Sequence, residues 1–172
     1  AFFLCFSTLY FLMSWIPALM EYSGFDATVG RDAYFLFNLG GVMGIYLMAV
    51  LSTRFKLTNL ILYLSVTAAI GMVIFAMVPK QFNLLLGMTF LIGILQQGGF
   101  TGLYGAAAKA YPTSVRSTGI GWCIGLGRSG AVAGPAIAGY LIAAGLDYSA
   151  NYIIFAIPMA IGGIIAYRLH ID

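Results

Sequence analysis

The sequence predicts an all-α, polytopic membrane protein with six transmembrane helices. Composition comes first: of 172 residues, 62% are hydrophobic and 8% are charged, where soluble domains are about half apolar and about a quarter charged. Mean hydropathy is +0.98, and a soluble domain this small could not hide so much apolar surface. Spacing comes second. The apolar residues fall in runs near the roughly 20 that a helix needs to cross a ~30 Å hydrocarbon core. Texture comes third, because these runs are rich in Gly, Ala and Ser and lack the polar/apolar alternation over about ten residues that marks barrel strands. The same composition excludes disorder, and the 22 glycines show no collagen period. The eight Lys and Arg are scattered without forming a basic patch, so no nucleic-acid partner is expected. The expected surroundings are a lipid bilayer.

The expected spans cover about residues 1–20, 33–53, 57–78, 83–107, 115–144 and 150–168. The first ends at Glu21. Pro79-Lys80-Gln81 separates the third from the fourth, and the longest polar stretch is expected at 21–32. An even number of spans puts both termini on one side. Arg54, Lys56, Lys109, Arg116 and Arg168 fall on that side. Arg31 and Lys80, with Glu21, Asp26, Asp32 and Asp147, fall on the other. The excess of Lys and Arg marks the first side as cytoplasmic, with the C-terminus there. The chain opens within an apolar run and without a starting Met, which reads as a chain cut from a longer one. Cys5 and Cys123 have no partner spacing, so neither a disulfide framework nor a metal site is expected.

Arg128 stands out. Counted from Val115 it lies about 13 residues into its helix, roughly 20 Å deep and near the midplane. A charge at that depth is costly unless it is paired or faces water. One reading is a clamp for an anionic solute, because guanidinium binds a carboxylate through two parallel hydrogen bonds. The other is an Arg bonded to helix-end carbonyls or snorkelling to the surface. The same span holds the small-residue pairs Gly121/Gly125 and Gly130/Gly134, which let helix backbones approach closely. Pro135 follows and removes a backbone donor. Close packing and a flex point are both open readings.

In the fourth span, Gln96, Phe100 and Tyr104 share a helical face. An amide beside two aromatic rings suits a flat aromatic solute. An interhelical hydrogen bond with core packing is the other reading of the adjacent Gln96 and Gln97. Tyr10 and Asn38 lie deep enough to line a cavity, whereas Trp15 is expected in the outer aromatic belt, and Trp122 either stacks on a solute or, as the preferred reading, belongs to the core. His170, the single histidine, is at the tail and says little about proton relay. All five acidic residues lie at loops or ends, with none at mid-membrane. No nucleotide-binding, metal-ligand or nucleophile–base pattern is present, so no enzyme and no metal are expected.

The run Tyr111-Pro112-Thr113-Ser114-Val115-Arg116-Ser117-Thr118-Gly119-Ile120-Gly121-Trp122 resembles a signature of the major facilitator superfamily. Its continuation, Gly125-Leu126-Gly127-Arg128-Ser129-Gly130 then Gly134-Pro135, is similar to the aromatic acid:proton symporter branch. The resemblance covers nearly the whole chain, as the C-terminal six-helix half of a major facilitator fold over 1–172, built as a three-plus-three inverted repeat. It implies an N-terminal six-helix half as partner and alternating access between the two. A benzoate- or hydroxybenzoate-class aromatic carboxylate would be the solute, the proton the coupling ion, and no cofactor would be needed.

By the same resemblance, Arg128 is the substrate-recognition Arg. Arg116 belongs to the cytoplasmic signature that serves gating and folding. Gly44 and Arg54 fall on the loop motif between the second and third spans. Thr53 and Lys109 stand where that family usually has acids. Gln96, Tyr104, Tyr10 and Asn38 are the expected pocket lining beside Arg128. The competing expectations are a carrier of sugars or organic ions, a truncated half that does not transport, and a channel.

Overall fold

The computed structural model describes residues 1–169; His170 lies outside them. Six long helices follow one another: α1 (Phe2–Tyr22), α2 (Ala27–Leu51), α3 (Leu57–Met77), α4 (Phe82–Ala110), α5 (Arg116–Ala143) and α6 (Tyr148–Tyr167). No strand is present among the described residues. Five of the helices are long and apolar enough to cross a membrane. The exception, α5, has 28 residues, or about 42 Å at 1.5 Å per residue. Its hydropathy is lowered by Arg116, Arg128 and a run of Gly and Ser.

The six helices follow the expected apolar runs, with one displaced boundary. Helix α2 begins at Ala27 rather than at 33, so most of the supposed polar loop is helical. Arg31 and Asp32 were the obstacle, because a hydropathy argument ends a span at charge. Both are exposed, and a helix can run past the hydrocarbon edge. Asp26 stands at the N-cap with extended backbone, φ −64 and ψ 154. Gly24, at φ 88, makes the left-handed turn after α1 that a side chain rarely adopts.

Chain neighbours are not the main packing partners. The most extensive contacts are α2 with α4, α1 with α5, and α3 with α6. This set maps onto itself when α1, α2, α3 exchange with α4, α5, α6, which is the pattern a three-plus-three repeat produces. Two glycine pairs carry the matching contacts. On α5, a Cβ at Gly130 or Gly134 would strike the carbonyls of Phe3 and Ser7 on α1. On α2, a Cβ at Gly40 or Gly44 would strike those of Phe90 and Ile94 on α4. Both pairs have four-residue spacing, and both meet carbonyls four residues apart. Gly121 and Gly125 have open space instead, so only one of the two expected pairs on α5 is used inside this chain.

The four acidic residues among the described ones, Glu21, Asp26, Asp32 and Asp147, lie at one end of the bundle. There the Tyr22 hydroxyl donates to the Asp147 carboxylate, which holds that carboxyl below its usual range with help from Tyr148 and Ser149. Lys80 places its Nζ 4.6 Å from the centre of the Tyr22 ring.

Candidate functional site

The face of α5 that meets α1 is made almost wholly of small residues. Gly127, Gly130, Gly134 and Ala138 are its buried positions. Some of the largest side chains are turned outward: Trp122 is 65% and Leu126 64% exposed. Arg128 is exposed as well. It is not enclosed by this six-helix bundle, and its guanidinium lies within electrostatic reach of the Tyr104 phenol, as does the Tyr10 phenol. Tyr104 of α4 thus has Arg128 of α5 and Tyr10 of α1 each within its electrostatic reach.

Tyr104 is packed against rings. Phe2 and Phe100 each meet Tyr104 edge-on, at 5.2 Å and 88° and at 5.5 Å and 89°. Phe6 meets Phe100 at 4.7 Å and 73°, and Tyr10 stands 6.1 Å from Phe6. Such edge-to-face pairs satisfy the ring quadrupoles and fix ring orientation. Phe2 and Phe6 were not singled out from the sequence. Their signal was available: Phe2, Phe6 and Tyr10 repeat at i, i+4, i+8, as Gln96, Phe100 and Tyr104 do.

The remaining expected residues fall elsewhere. Along α4 the shared face passes from core to surface: Gln96 is 0% and Phe100 6% exposed, and Tyr104 is half-buried. Gln96 therefore sits inside the bundle, where its amide has no protein hydrogen-bond partner, and it has no free face for a solute. Asn38 is half-buried, and its Nδ2 donates to the Tyr34 carbonyl at 2.8 Å. It occupies the register on α2 that Arg128 has on α5, each two residues ahead of a glycine pair. Gln97 packs its side chain against Gly41 of α2.

Two roles change. Gly44 does not belong to a cytoplasmic loop, because it lies inside α2 against Ile94. It was misplaced because its spacing to Arg54 spans the last turns of a helix that runs on to Leu51. Trp15 is more than a belt residue: its Nε1 donates to the Pro135 carbonyl at 3.4 Å, tying α1 to α5 beside the proline. Arg54 is exposed in the connection after α2.

The Tyr-Pro-Thr run has its own geometry. The ring of Tyr111 covers Gly119, where a Cβ would stand 2.6 Å from Cγ of that ring. Its hydroxyl lies 3.4 Å from Cys123 Sγ, a contact that raises the phenol's pKa. Arg116 is exposed and donates from Nε to the Tyr111 carbonyl at 3.3 Å. Arg116 thus clips the connection between α4 and α5 to the start of α5. Among the described residues, no group of three or more His, Cys, Asp or Glu stands together.

Fold and site together define a class: a helical bundle of membrane-spanning type, with an exposed cation within electrostatic reach of a ring-packed phenol. The chain belongs to the Major Facilitator Superfamily, whose family model matches residues 1–171. It is similar to several transporters of aromatic acids. It is 30% identical over 163 residues to a benzoate transport protein of Acinetobacter baylyi, covering 94% of this chain and 34% of that protein. It is 31% identical over 158 residues to the 4-hydroxybenzoate transporter PcaK of the same organism, covering 91% and 34%. A gentisate transporter of Corynebacterium glutamicum is 31% identical over 146 residues, covering 85% and 33%. The chain spans about a third of the length of the curated relatives it matches.

Proposed function

We propose that this chain is the C-terminal six-helix half of a secondary carrier for an aromatic carboxylate of the benzoate and hydroxybenzoate class. The observation that carries the reading is the position of Arg128: outside the bundle's own core and within electrostatic reach of Tyr104, a phenol that packs edge-on against Phe2 and Phe100. A guanidinium supplies two parallel donors to a carboxylate, and the rings supply the flat apolar contact that the rest of such a solute wants. Solutes of this kind are named for each of the three relatives.

In this reading an N-terminal half closes the cavity over Arg128, and the two halves rock about the bound solute near the midplane. The carrier sits in the cell inner membrane. The Lys- and Arg-rich end of the bundle, with the C-terminus, faces the cytoplasm. Transport is coupled to protons. Since the acids described here all lie at one end, the proton-carrying carboxyl belongs to the other half.

The test is uptake of radiolabelled 4-hydroxybenzoate by cells expressing the carrier, with and without Arg128→Ala, membrane abundance being followed by immunoblot. Arg128→Ala abolishes uptake at unchanged abundance. Unchanged uptake removes Arg128 from the site. Collapse of the proton gradient by an ionophore stops uptake by the intact protein; uptake that persists refutes the coupling.

A further inference from the structure

A second cleft is lined by Phe2, whose ring also packs against Tyr104 of the candidate solute site. Its volume is about 370 Å³, within the roughly 300–1,000 Å³ of small-molecule sites. Four helices line it, through Phe2 of α1, Leu103 and Ala107 of α4, Cys123 of α5 and Ile165 of α6, together with Tyr111. Arg128 is not part of it. Along α4 the lining runs from Leu103 to Ala110, roughly 10 Å at the helical rise. The cleft therefore opens at the Lys- and Arg-rich end and reaches about two turns into the bundle. Its wall is apolar except for the Tyr111 hydroxyl and the Cys123 thiol, which already contact each other at 3.4 Å.

The mouth has the opposite character. Arg116 is bonded to the carbonyl of Tyr111, a lining residue. Lys109 and Arg168 directly precede the lining residues Ala110 and Leu169. All four acids among the described residues are at the other end of the bundle. An apolar slot about two helical turns deep under a cationic mouth fits a molecule with a hydrocarbon tail and an anionic head. A carboxylate-bearing ring would find as side-chain donors within the slot only the Tyr111 hydroxyl and the Cys123 thiol, which already contact each other.

We propose that this cleft holds one acyl chain of an anionic phospholipid, whose phosphate rests against Arg116 and Arg168. A cation beside anionic lipid gains from the surface potential of that leaflet, and the tail shields wall residues that water would otherwise reach.

Cys123 is a built-in reporter. It lines the cleft and is half-buried, whereas the other cysteine, Cys5, is 0% exposed. The carrier containing this chain is reconstituted in vesicles of phosphatidylcholine alone or with phosphatidylglycerol, and alkylation of Cys123 by N-ethylmaleimide is timed by mass spectrometry. Phosphatidylglycerol slows alkylation several-fold. Arg116→Gln with Arg168→Gln abolishes the difference between the two lipids, and Ala107→Phe, which fills the slot, slows alkylation in both. Arg128→Ala keeps the lipid effect even where it stops transport, which separates this proposal from the solute site. Equal alkylation rates in the two vesicle types overturn it, as does a lipid effect that survives the double Arg substitution.

Discussion

Gly134 of α5 lies against the backbone carbonyl of Ser7 on α1, so that any Cβ at that position would collide with it. Backbone cannot yield as a flexible side chain can, and forced shifts in a packed interior cost about 1–3 kcal/mol. Ala in place of Gly gains at most about 1 kcal/mol of helix propensity. Gly134→Ala therefore lowers the thermal unfolding midpoint in detergent. Gly121→Ala, in open space, leaves it unchanged or raises it. Equal stability of the two variants contradicts the α1–α5 contact.

Much of this architecture was legible beforehand because it rests on one-dimensional signals. Six helices follow from apolar runs interrupted near Glu21, Arg54, Pro79, Pro112 and Asp147. The depth of Arg128 follows from counting residues along a helix of fixed rise. What stayed hidden depends on which helix meets which. Gly44 and Gly134 look alike in the sequence, and so do Gly121 and Gly130. Only the pairing of α2 with α4 and of α1 with α5 decides which glycines are contacts. The two readings of Gln96 could not be separated for the same reason: its face is shared with Tyr104, but the helix enters the bundle between them. The start of α2 was missed because Arg31 and Asp32 disguise a helix that extends past the hydrocarbon.

Arg128→Lys separates charge from geometry. Lysine keeps the positive charge and loses the planar fork that grips two oxygens at once. A charge-assisted hydrogen bond contributes about 1.5–3 kcal/mol, so the apparent affinity for 4-hydroxybenzoate falls roughly 10- to 100-fold on a scale of about 1.4 kcal/mol per tenfold. Tyr104→Phe keeps the aromatic packing and changes affinity less. Competition by unlabelled benzoate reads both. If Arg128→Lys transports as well as the unaltered protein, the bidentate contact is absent and only a positive potential is required.

At the far end, Asp147 responds to acid. The hydroxyl of Tyr22 is the main cause that holds its carboxyl below the ordinary range. A depressed folded-state pKa means that the stabilisation is complete above the unfolded value of about 3.9. It is lost as pH falls through the lower, folded value. Tyr22→Phe removes the donor, so Asp147 protonates nearer its ordinary value and the bundle loosens at a less acidic pH. The effect is small, because the pair is at the exposed rim. Helix content and Trp fluorescence followed from pH about 6 to about 3 give the two acid midpoints. Coincident midpoints for the variant and the unaltered protein remove Tyr22 as the cause.

Gln96 offers the opposite test, in which deleting a polar group stabilises. Its side chain is 0% exposed, and both amide atoms lack a partner among the protein's groups. Burying an amide without compensation costs about 1–3 kcal/mol on mutational scales, and removing an unpaired polar group relieves that cost. Leucine has a similar volume and no hydrogen-bonding demand. Gln96→Leu therefore raises the thermal midpoint, while 4-hydroxybenzoate uptake is retained, since the amide has no face on the cavity. Destabilisation by Gln96→Leu means that the amide finds a partner within the bundle, the interhelical bond that its sequence position first suggested. Loss of uptake at unchanged stability returns Gln96 to the solute pocket, through a rotation of α4 that brings its face out beside Tyr104.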